Sequence, residues 1–189
     1  REQTHRSIKK NFIEETYEAI EAIDTDDTEL LKEELGDVLL QVALHSEIES
    51  EKNSFNIEDV CDGVCKKLIT RHPHVFGTVV ANNTEEALQS WDAVKMKTKS
   101  QKSQAEAMQS VSKALPSLMR STKIQQKAAK TGFDWASAEG ALEKLYEECH
   151  ELKAAILSDD EENQREELGD VLFSAVNVAR LLNIDSEHA

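Results

Sequence analysis

Two short acidic patterns, each present twice, are the residues of this sequence best suited to chemistry. The seven residues EELGDVL occur at 33–39 and again at 166–172. Each copy follows a helix-forming stretch that contains an E-x-x-E pair, EETYE at 14–18 and EECHE at 147–151. Carboxylates three residues apart share one face of a helix, so each copy can direct two pairs of acids toward one place.

A single offset of 133 positions superimposes the acids of the two copies. In both copies, the first acid of the E-x-x-D pair follows the first acid of the E-x-x-E pair by nineteen positions, with no insertion. Identity over this length is not expected by chance, so duplication is the economical explanation. The superimposed acids are Glu15, Glu18, Glu34 and Asp37 in the first copy, and Glu148, Glu151, Glu167 and Asp170 in the second.

Four carboxylates that converge beside apolar residues repel one another and need protons, cationic side chains or metal ions. Hard oxygen ligands suit Mg²⁺ or Mn²⁺, and zinc is disfavoured because no His or Cys joins the cluster. For one isolated Glu pair, an ordinary solvated helix face is the better explanation. Two pairs, repeated at the same separation, favour a metal site, which suits attack by water on a di- or triphosphate.

Basic and aromatic residues of the first copy could contact such a substrate. Lys67 and Arg71 are four residues apart and share a helix face, and Lys95 follows Trp91 by four residues. The cations could neutralise a polyphosphate, and the indole could stack on a base or ribose. A solvated face for the cations, and core packing for Trp91, explain these residues about equally well when each is taken alone.

Composition favours an acidic, all-α protein. Only two of the 189 residues are Pro and six are Gly, and helix-forming residues dominate. The net charge of −15 disfavours nucleic acid and anionic membrane as partners, but not a metal-bound polyphosphate. No apolar stretch has membrane-spanning length, and three cysteines are too few for a disulfide framework. We therefore expect a cytoplasmic protein whose cysteines are small buried residues.

Helical periodicity places the acid pairs on neighbouring helices. In the first copy, helices are predicted over about 6–23 and 29–50, and in the second over about 137–157 and 161–182. The short connections predict antiparallel neighbours, and Gly36 in mid-helix is expected to let two backbones approach closely. The predicted domains are 1–99, a linker with one helix over 100–131, and 132–189, the last incomplete at its C-terminal end.

These motifs resemble those of MazG, the all-α family of nucleoside triphosphate pyrophosphohydrolases. Its signature pairs E-x-x-E with E-x-x-D, and the stretches REQTHRS, KKLITRHPHVFG and LPSLMRSTKIQQKAAKTGFDW look like the family too. The resemblance implies a duplicated bundle of antiparallel helices, of four-helix-bundle type and completed by homodimerisation. It also implies an enzyme that, with Mg²⁺, hydrolyses nucleoside triphosphates to nucleoside monophosphate and pyrophosphate.

The resemblance carries roles over to individual residues. The family's metal ligands correspond to all eight superimposed acids, and those of the first copy are expected to be catalytic. The family's nucleotide contacts correspond to residues of the first copy, while Glu14 and Glu147 are secondary candidates. The expected metal ligands are Glu15, Glu18, Glu34, Asp37, Glu148, Glu151, Glu167 and Asp170, and the expected substrate contacts are Glu14, Lys67, Arg71, Trp91 and Lys95.

Both ends depart from the family pattern. The Cys-Pro-Trp-Asp stretch that usually opens the first copy is absent, and so are the last helices of the second copy. We therefore expect a chain truncated at both ends, with a weaker second copy. A narrower dUTP/dCTP or phosphoribosyl-ATP pyrophosphohydrolase is an alternative, because no residue clearly selects a base. A catalytically weak dimerisation or regulatory module is another, although both copies retain all four acids.

Overall fold

The computed structural model describes residues 2–77, 83, 91, 94 and 104–189. Across these residues the regular structure consists of eight α-helices without a strand, which confirms the all-α prediction. The chain divides into two compact units, Arg1–Lys95 and Met96–Ala189. In the described part of the chain, no helix is both long and apolar enough to cross a membrane.

Each unit is organised around two long helices that pack side by side, α1 with α2 and α7 with α8. All four long helices begin and end within one residue of the predicted positions. Helix α3 packs on α2, α4 on α3, α6 on α8 and α5 on α6, so the predicted linker region contributes a packed helix to the second unit. The helices are α1 (His5–Asp24), α2 (Thr28–Ser50), α3 (Ile57–Arg71), α4 (Pro73–Phe76), α5 (Gln104–Gln109), α6 (Ser117–Ala129), α7 (Ala138–Leu157) and α8 (Glu161–Leu181).

The turn between the long helices is built in the same way in both units. Asp27 and Asp160 cap the N-termini of α2 and α8, where their side chains accept hydrogen bonds from backbone N–H groups. The residues before them, Asp26 and Asp159, have φ values of 54° and 56°, a left-handed conformation that Asp tolerates better than most residues. Each tight turn makes the following helix run back along the first, so the two acid pairs of a unit face each other.

The two units have thin cores. Their most deeply buried apolar side chains are small, with Ala22, Ala141 and Ala155 each 1% exposed. Large apolar side chains on the same helices remain exposed, including Leu39 at 64% and Tyr146 at 53%. Apolar helix faces are usually covered by another layer of structure, so these faces are suited to packing against further helices. Completion of the bundle by a second copy remains a prediction.

The structure contradicts two details predicted from sequence. A Cβ atom built on Gly36 would meet nothing within 4 Å, so the close approach of the helices does not depend on that glycine. Cys61, Cys65 and Cys149 are exposed rather than buried. Both errors have one cause: residue spacing defines the faces of a helix, but it does not say which face the neighbouring helix covers.

Candidate functional site

The first acidic cluster lies between α1 and α2. Carboxylate oxygens of Glu15, Glu18 and Glu34 all lie within 4.8 Å of one another. Glu15 and Glu34 are partly buried, whereas Glu18 is exposed, so one side of the cluster is open to solvent. The structure therefore brings together three of the four acids predicted for this copy.

The fourth predicted acid, Asp37, adds its charge to the same cluster. Burial raises the pKa of Glu15, and the charges of Asp37 and Glu18 raise it further. Burial also raises the pKa of Glu34, again with contributions from Glu18 and Asp37. None of these four acids forms an ion pair with a basic side chain of the described residues. The arrangement is therefore unfavourable for four anions until a proton or a cation neutralises part of the charge.

Gln41, four residues after Asp37 on α2, is a neutral neighbour of this cluster. Its side chain is buried and hydrogen-bonds to Glu15, which lowers the pKa of that carboxyl against the other effects. Its Oε1 atom is buried and has no hydrogen-bond partner among the described residues, an arrangement that usually costs stability. Gln41 was not among the predicted site residues, although its spacing from Asp37 places both on one face of α2.

The second acidic cluster, between α7 and α8, contains the matching acids. Carboxylate oxygens of Glu148, Glu151 and Glu167 lie within 4.8 Å of one another, and Glu148 is buried. A hydrogen bond with Glu148 is the largest of the effects that raise the pKa of Glu151, and burial raises it further. Burial and the charges of Glu148 and Asp170 raise the pKa of Glu167. The second copy thus repeats the convergence of carboxylates seen in the first.

Lys144 distinguishes the second cluster from the first. Its Nζ atom lies 2.9 Å from Oε1 of Glu147 and 2.9 Å from Oε1 of Glu148. The two hydrogen bonds raise the pKa of this ammonium group above its ordinary value. The corresponding position of the first copy is Asn11. A cation therefore stands beside Glu148, whereas the matching Glu15 has an uncharged residue at that position.

Glu14 and Glu147, the secondary candidates, each form an ion pair within their own helix. The distance from Lys10 Nζ to Glu14 Oε1 is 3.1 Å, and Glu147 is bonded to Lys144 as described above. Glu14 is exposed. Each of these two acids is therefore paired with a lysine of its own helix near the cluster.

Three further predicted substrate contacts, Lys67, Arg71 and Trp91, lie on or near the C-terminal half of α3. Lys67 is exposed, and Arg71 is the last residue of the helix. The guanidinium carbon of Arg71 lies 5.7 Å from the ring centroid of Trp91, which is a cation–π distance. The structure therefore brings Arg71 and Trp91 together, and their role in substrate binding stays a prediction. Lys95 lies outside the described residues.

The donor atoms of both clusters fit a hard divalent cation. All of them are carboxylate oxygens, which are the protein ligands that Mg²⁺, Mn²⁺ and Ca²⁺ prefer. Their spacing concentrates negative charge. Burial and the neighbouring carboxylates raise the pKa values of Glu15, Glu34 and Glu167, and a hydrogen bond with Glu148 raises the pKa of Glu151. Each helix pair can therefore hold a cation that in turn attracts phosphate oxygens.

Known proteins are similar in sequence to this chain over its whole length. Nucleoside triphosphate pyrophosphohydrolase/pyrophosphatase MazG of Thermotoga maritima is 44% identical over 189 residues, which cover 100% of this chain and 71% of the relative. Nucleoside triphosphate pyrophosphohydrolase of Escherichia coli K12 is 39% identical over 193 residues, covering 100% of this chain and 73% of the relative. The uncharacterised protein YabN of Bacillus subtilis is 44% identical over 190 residues, covering 100% of this chain and 39% of the relative.

The match to a family model follows the duplication seen in the structure. The model of the MazG nucleotide pyrophosphohydrolase domain matches residues 3–76 and 136–189. The two segments contain the first and second acidic clusters, respectively. The resemblance noted from the motifs is thereby confirmed, and the chain belongs to the MazG nucleotide pyrophosphohydrolase family.

Proposed function

We propose that this protein hydrolyses nucleoside triphosphates to nucleoside monophosphates and pyrophosphate. The observation that carries the proposal is the convergence of Glu15, Glu18 and Glu34, whose carboxylate oxygens lie within 4.8 Å of one another. The relatives from Thermotoga maritima and Escherichia coli are named for this activity. Mg²⁺ is the proposed ion, with Mn²⁺ as a substitute, because the donors are carboxylate oxygens alone.

Residues of the first cluster have two proposed tasks, metal binding and proton transfer. Glu15, Glu18, Glu34 and Asp37 are the proposed ligands and catalytic residues. When bound, the divalent cation supplies charge neutralisation at the phosphate oxygens. Glu15 and Glu34 are partly buried, whereas Glu18 is exposed. A carboxylate oxygen of Glu15 or Glu34 that is free of the ion is proposed to take a proton from attacking water.

Cationic and aromatic residues of the first unit are proposed to hold the nucleotide. Lys67, Arg71 and Lys95 neutralise polyphosphate oxygens, and Trp91 stacks on the base or ribose. The contact between Arg71 and the Trp91 ring supports a shared role, because it places a phosphate-binding group beside a ring-binding one. A narrower enzyme for dUTP/dCTP or phosphoribosyl-ATP is the second candidate, since these groups select phosphate rather than a particular base.

A homodimer is the proposed assembly, with the nucleotide as the partner from solution. Leu39 and Leu40 on α2, and Leu172 and Phe173 on α8, are each at least two-fifths exposed. A second copy would cover such faces and convert helix pairs into four-helix bundles. The proposed location is the cytoplasm. Sedimentation equilibrium would test the assembly, and a monomer at micromolar concentration would contradict it.

Pyrophosphate release tests the proposed function. The wild type should release pyrophosphate and monophosphate from a panel of ribo- and deoxynucleoside triphosphates with MgCl₂ or MnCl₂, and should release none with EDTA. The double variant Glu34→Gln, Glu167→Gln removes one carboxylate from each cluster and should be inactive. Glu21→Gln is the matched control, because Glu21 is exposed on α1 and lies outside the cluster. A folded dimer that hydrolyses no triphosphate would favour the regulatory scaffold.

A further inference from the structure

A second pocket of the first unit adjoins the acidic cluster but is built from different groups. Its volume is about 460 Å³, within the range of small-molecule sites. Phe12 lines it and precedes Glu15 by about one helical turn, so the pocket lies next to the cluster along α1. Among the described residues no carboxylate lines the pocket, and the charged lining residues are Arg6 and Lys9. The apolar wall consists of Phe12, Val42, Phe55 and Val60.

Two histidines in this pocket are joined by a hydrogen bond. The Nδ1 atoms of His5 and His45 are 2.6 Å apart, and the ring planes are within 7° of parallel with centroids 4.9 Å apart. Because that N–N distance is too short for face-to-face stacking, the rings meet edge to edge in nearly one plane. His5 Nε2 lies 2.6 Å from Glu49 Oε1. Hydrogen bonds from Lys52 and His5 lower the pKa of Glu49 to about 2, so Glu49 is an anion and His5 Nε2 carries a hydrogen.

In this chain of hydrogen bonds, Nδ1 of His45 bonds to His5, and no described residue bonds to Nε2 of His45. That Nε2 atom can therefore form a hydrogen bond with a ligand. Burial and the neighbouring His5 lower the pKa of His45, so its ring is neutral at neutral pH and carries one hydrogen. The tautomer of His45 sets the role of its Nε2. Nε2 is an acceptor when Nδ1 donates to His5, and it is a donor when Nδ1 accepts from His5. His45 can therefore bond to either a donor or an acceptor on the edge of a heterocycle.

The lining fits an aromatic heterocycle that carries a phosphate. The apolar wall can contact a planar ring, while Arg6 and Lys9 are exposed and three residues apart on one helix face. Neither cation forms an ion pair within the described ranges. In a protein with a net charge of −15, two cations that line a pocket, together with no described carboxylate in its lining, favour an anion there. Because the cations belong to the protein, such an anion needs no metal ion to bind.

The second copy lacks these groups. At the positions that match His5, Arg6 and Lys9 it has Ala138, Glu139 and Leu142, and Val178 matches His45. The acids of the clusters are the same in both copies, so the pocket is a property of the first copy alone. It is therefore not a necessary part of the cluster that the two copies share.

We propose that this pocket binds a nucleoside monophosphate in the absence of a metal ion. The base lies against Phe12, Phe55 and His45, and the phosphate binds to Arg6 and Lys9. The choice of a monophosphate rests on the proposed function, because it is the product of that reaction. A product bound here stays beside the cluster where it forms, in the first copy only.

Calorimetric titration in EDTA tests the site. AMP and CMP should bind the wild type at least about tenfold more tightly than adenosine or inorganic phosphate, because only the nucleotides engage both the wall and the cations. The double variant Arg6→Gln, Lys9→Gln should weaken AMP binding about tenfold. Both residues are exposed, so the variant should fold normally. Lys10→Gln is the matched control, since Lys10 is the next residue of α1 and does not line the pocket.

Nitrogen-15 spectra of the histidine rings provide a second readout. AMP should shift Nε2 of His45 in the wild type, and His45→Val, which installs the residue of the second copy, should weaken AMP binding. AMP binding that requires Mg²⁺ and is lost in Glu34→Gln would place the nucleotide at the acidic cluster and overturn the proposal. Adenosine that binds as tightly as AMP would also overturn it. A protein that binds AMP in EDTA but hydrolyses no triphosphate would refute the proposed function alone.

Discussion

In the first unit Glu15 accepts a hydrogen bond from the amide of Gln41, whereas in the second unit the matching Glu148 is bonded to the ammonium group of Lys144 at 2.9 Å. Two of the positions that differ between the copies lie beside the acids. Asn11 stands where the second copy has Lys144, and Ser174 stands where the first has Gln41. The duplicated acids therefore lie in two different electrostatic environments, one without a cation from the described residues and one partly neutralised by Lys144.

Because of this difference, two copies of the same four acids do not form two equivalent metal sites. The attraction of a carboxylate cluster for a divalent ion depends on its uncompensated charge, and a lysine already bonded to one ligand reduces that charge. The first cluster is therefore expected to hold an ion more tightly than the second. Arg71 and Trp91 belong to the same unit, so the first copy also contains the proposed nucleotide contacts.

The largest expected effect separates the two copies by activity. Glu34→Gln should lower kcat/KM for pyrophosphate release at least about a hundredfold, because removal of a metal ligand costs no less than removal of a residue that supports one. Glu167→Gln should retain most of the activity, since it alters the cluster that Lys144 partly neutralises. Steady-state kinetics with each single variant checks this. Loss of activity in Glu167→Gln with retention in Glu34→Gln would assign catalysis to the second copy.

An exchange of the residues at the matching positions should shift metal affinity. In a Glu34→Gln background, which disables the first cluster, Lys144→Asn should strengthen Mn²⁺ binding at the second cluster about tenfold. In a Glu167→Gln background, Asn11→Lys should weaken Mn²⁺ binding at the first cluster by a similar factor. Calorimetric titration measures both. Unchanged affinities would mean that the lysine moves away from the ligands at no cost, and the comparison would fail.

Gln41→Ser, which installs the residue of the second copy, should have a smaller effect. Without the amide, Glu15 loses the hydrogen bond that orients it and favours its charged form, and Mn²⁺ affinity of the first cluster should fall about threefold. Gln126→Ser, at an exposed position of α6, is the control. An increase in affinity would show that the buried amide opposes the metal-bound arrangement.

The smallest expected effect concerns the stability of the metal-free protein. The pKa of Glu34 is raised, so the folded state binds more protons than the unfolded state between the ordinary and the raised pKa, and this contribution to stability falls as pH rises through that window. In EDTA at pH 7, Glu34→Gln should therefore raise Tm by about one to three degrees. The gain should vanish at pH values below the ordinary carboxyl pKa.

Glu167→Gln should raise Tm by less than Glu34→Gln does, because Lys144 already lowers the pKa of Glu167 against the effects that raise it. Scanning fluorimetry at pH 4 and pH 7 measures the two shifts. With Mg²⁺ at pH 7 the order of Tm values should reverse. The wild type should then have a higher Tm than either variant, because metal binding stabilises it more. A lower Tm for Glu34→Gln in EDTA would mean that its carboxylate contributes bonds worth more than the repulsion it suffers.

Much of the architecture could be predicted because it depends on local chemistry. The caps at Asp27 and Asp160 and the periodicity of apolar residues define the long helices, and the repeat identifies which acids belong together. The contact between Lys144 and Glu148 could also have been predicted, because the two residues are four apart and share one helix face. The role expected for Gly36 was wrong because the closeness of two backbones depends on how the helices rotate against each other.

The sequence by itself determined the helix ends, the duplication and the sharing of a helix face by each acid pair, because those features follow from bonding within a helix or a turn. The tertiary structure alone decided that three carboxylates meet within 4.8 Å and that His5 bonds to His45, forty residues away. The physical reason is that helical spacing sets which residues share a face. Only the packing of one helix on another sets which side chains meet across the gap between them.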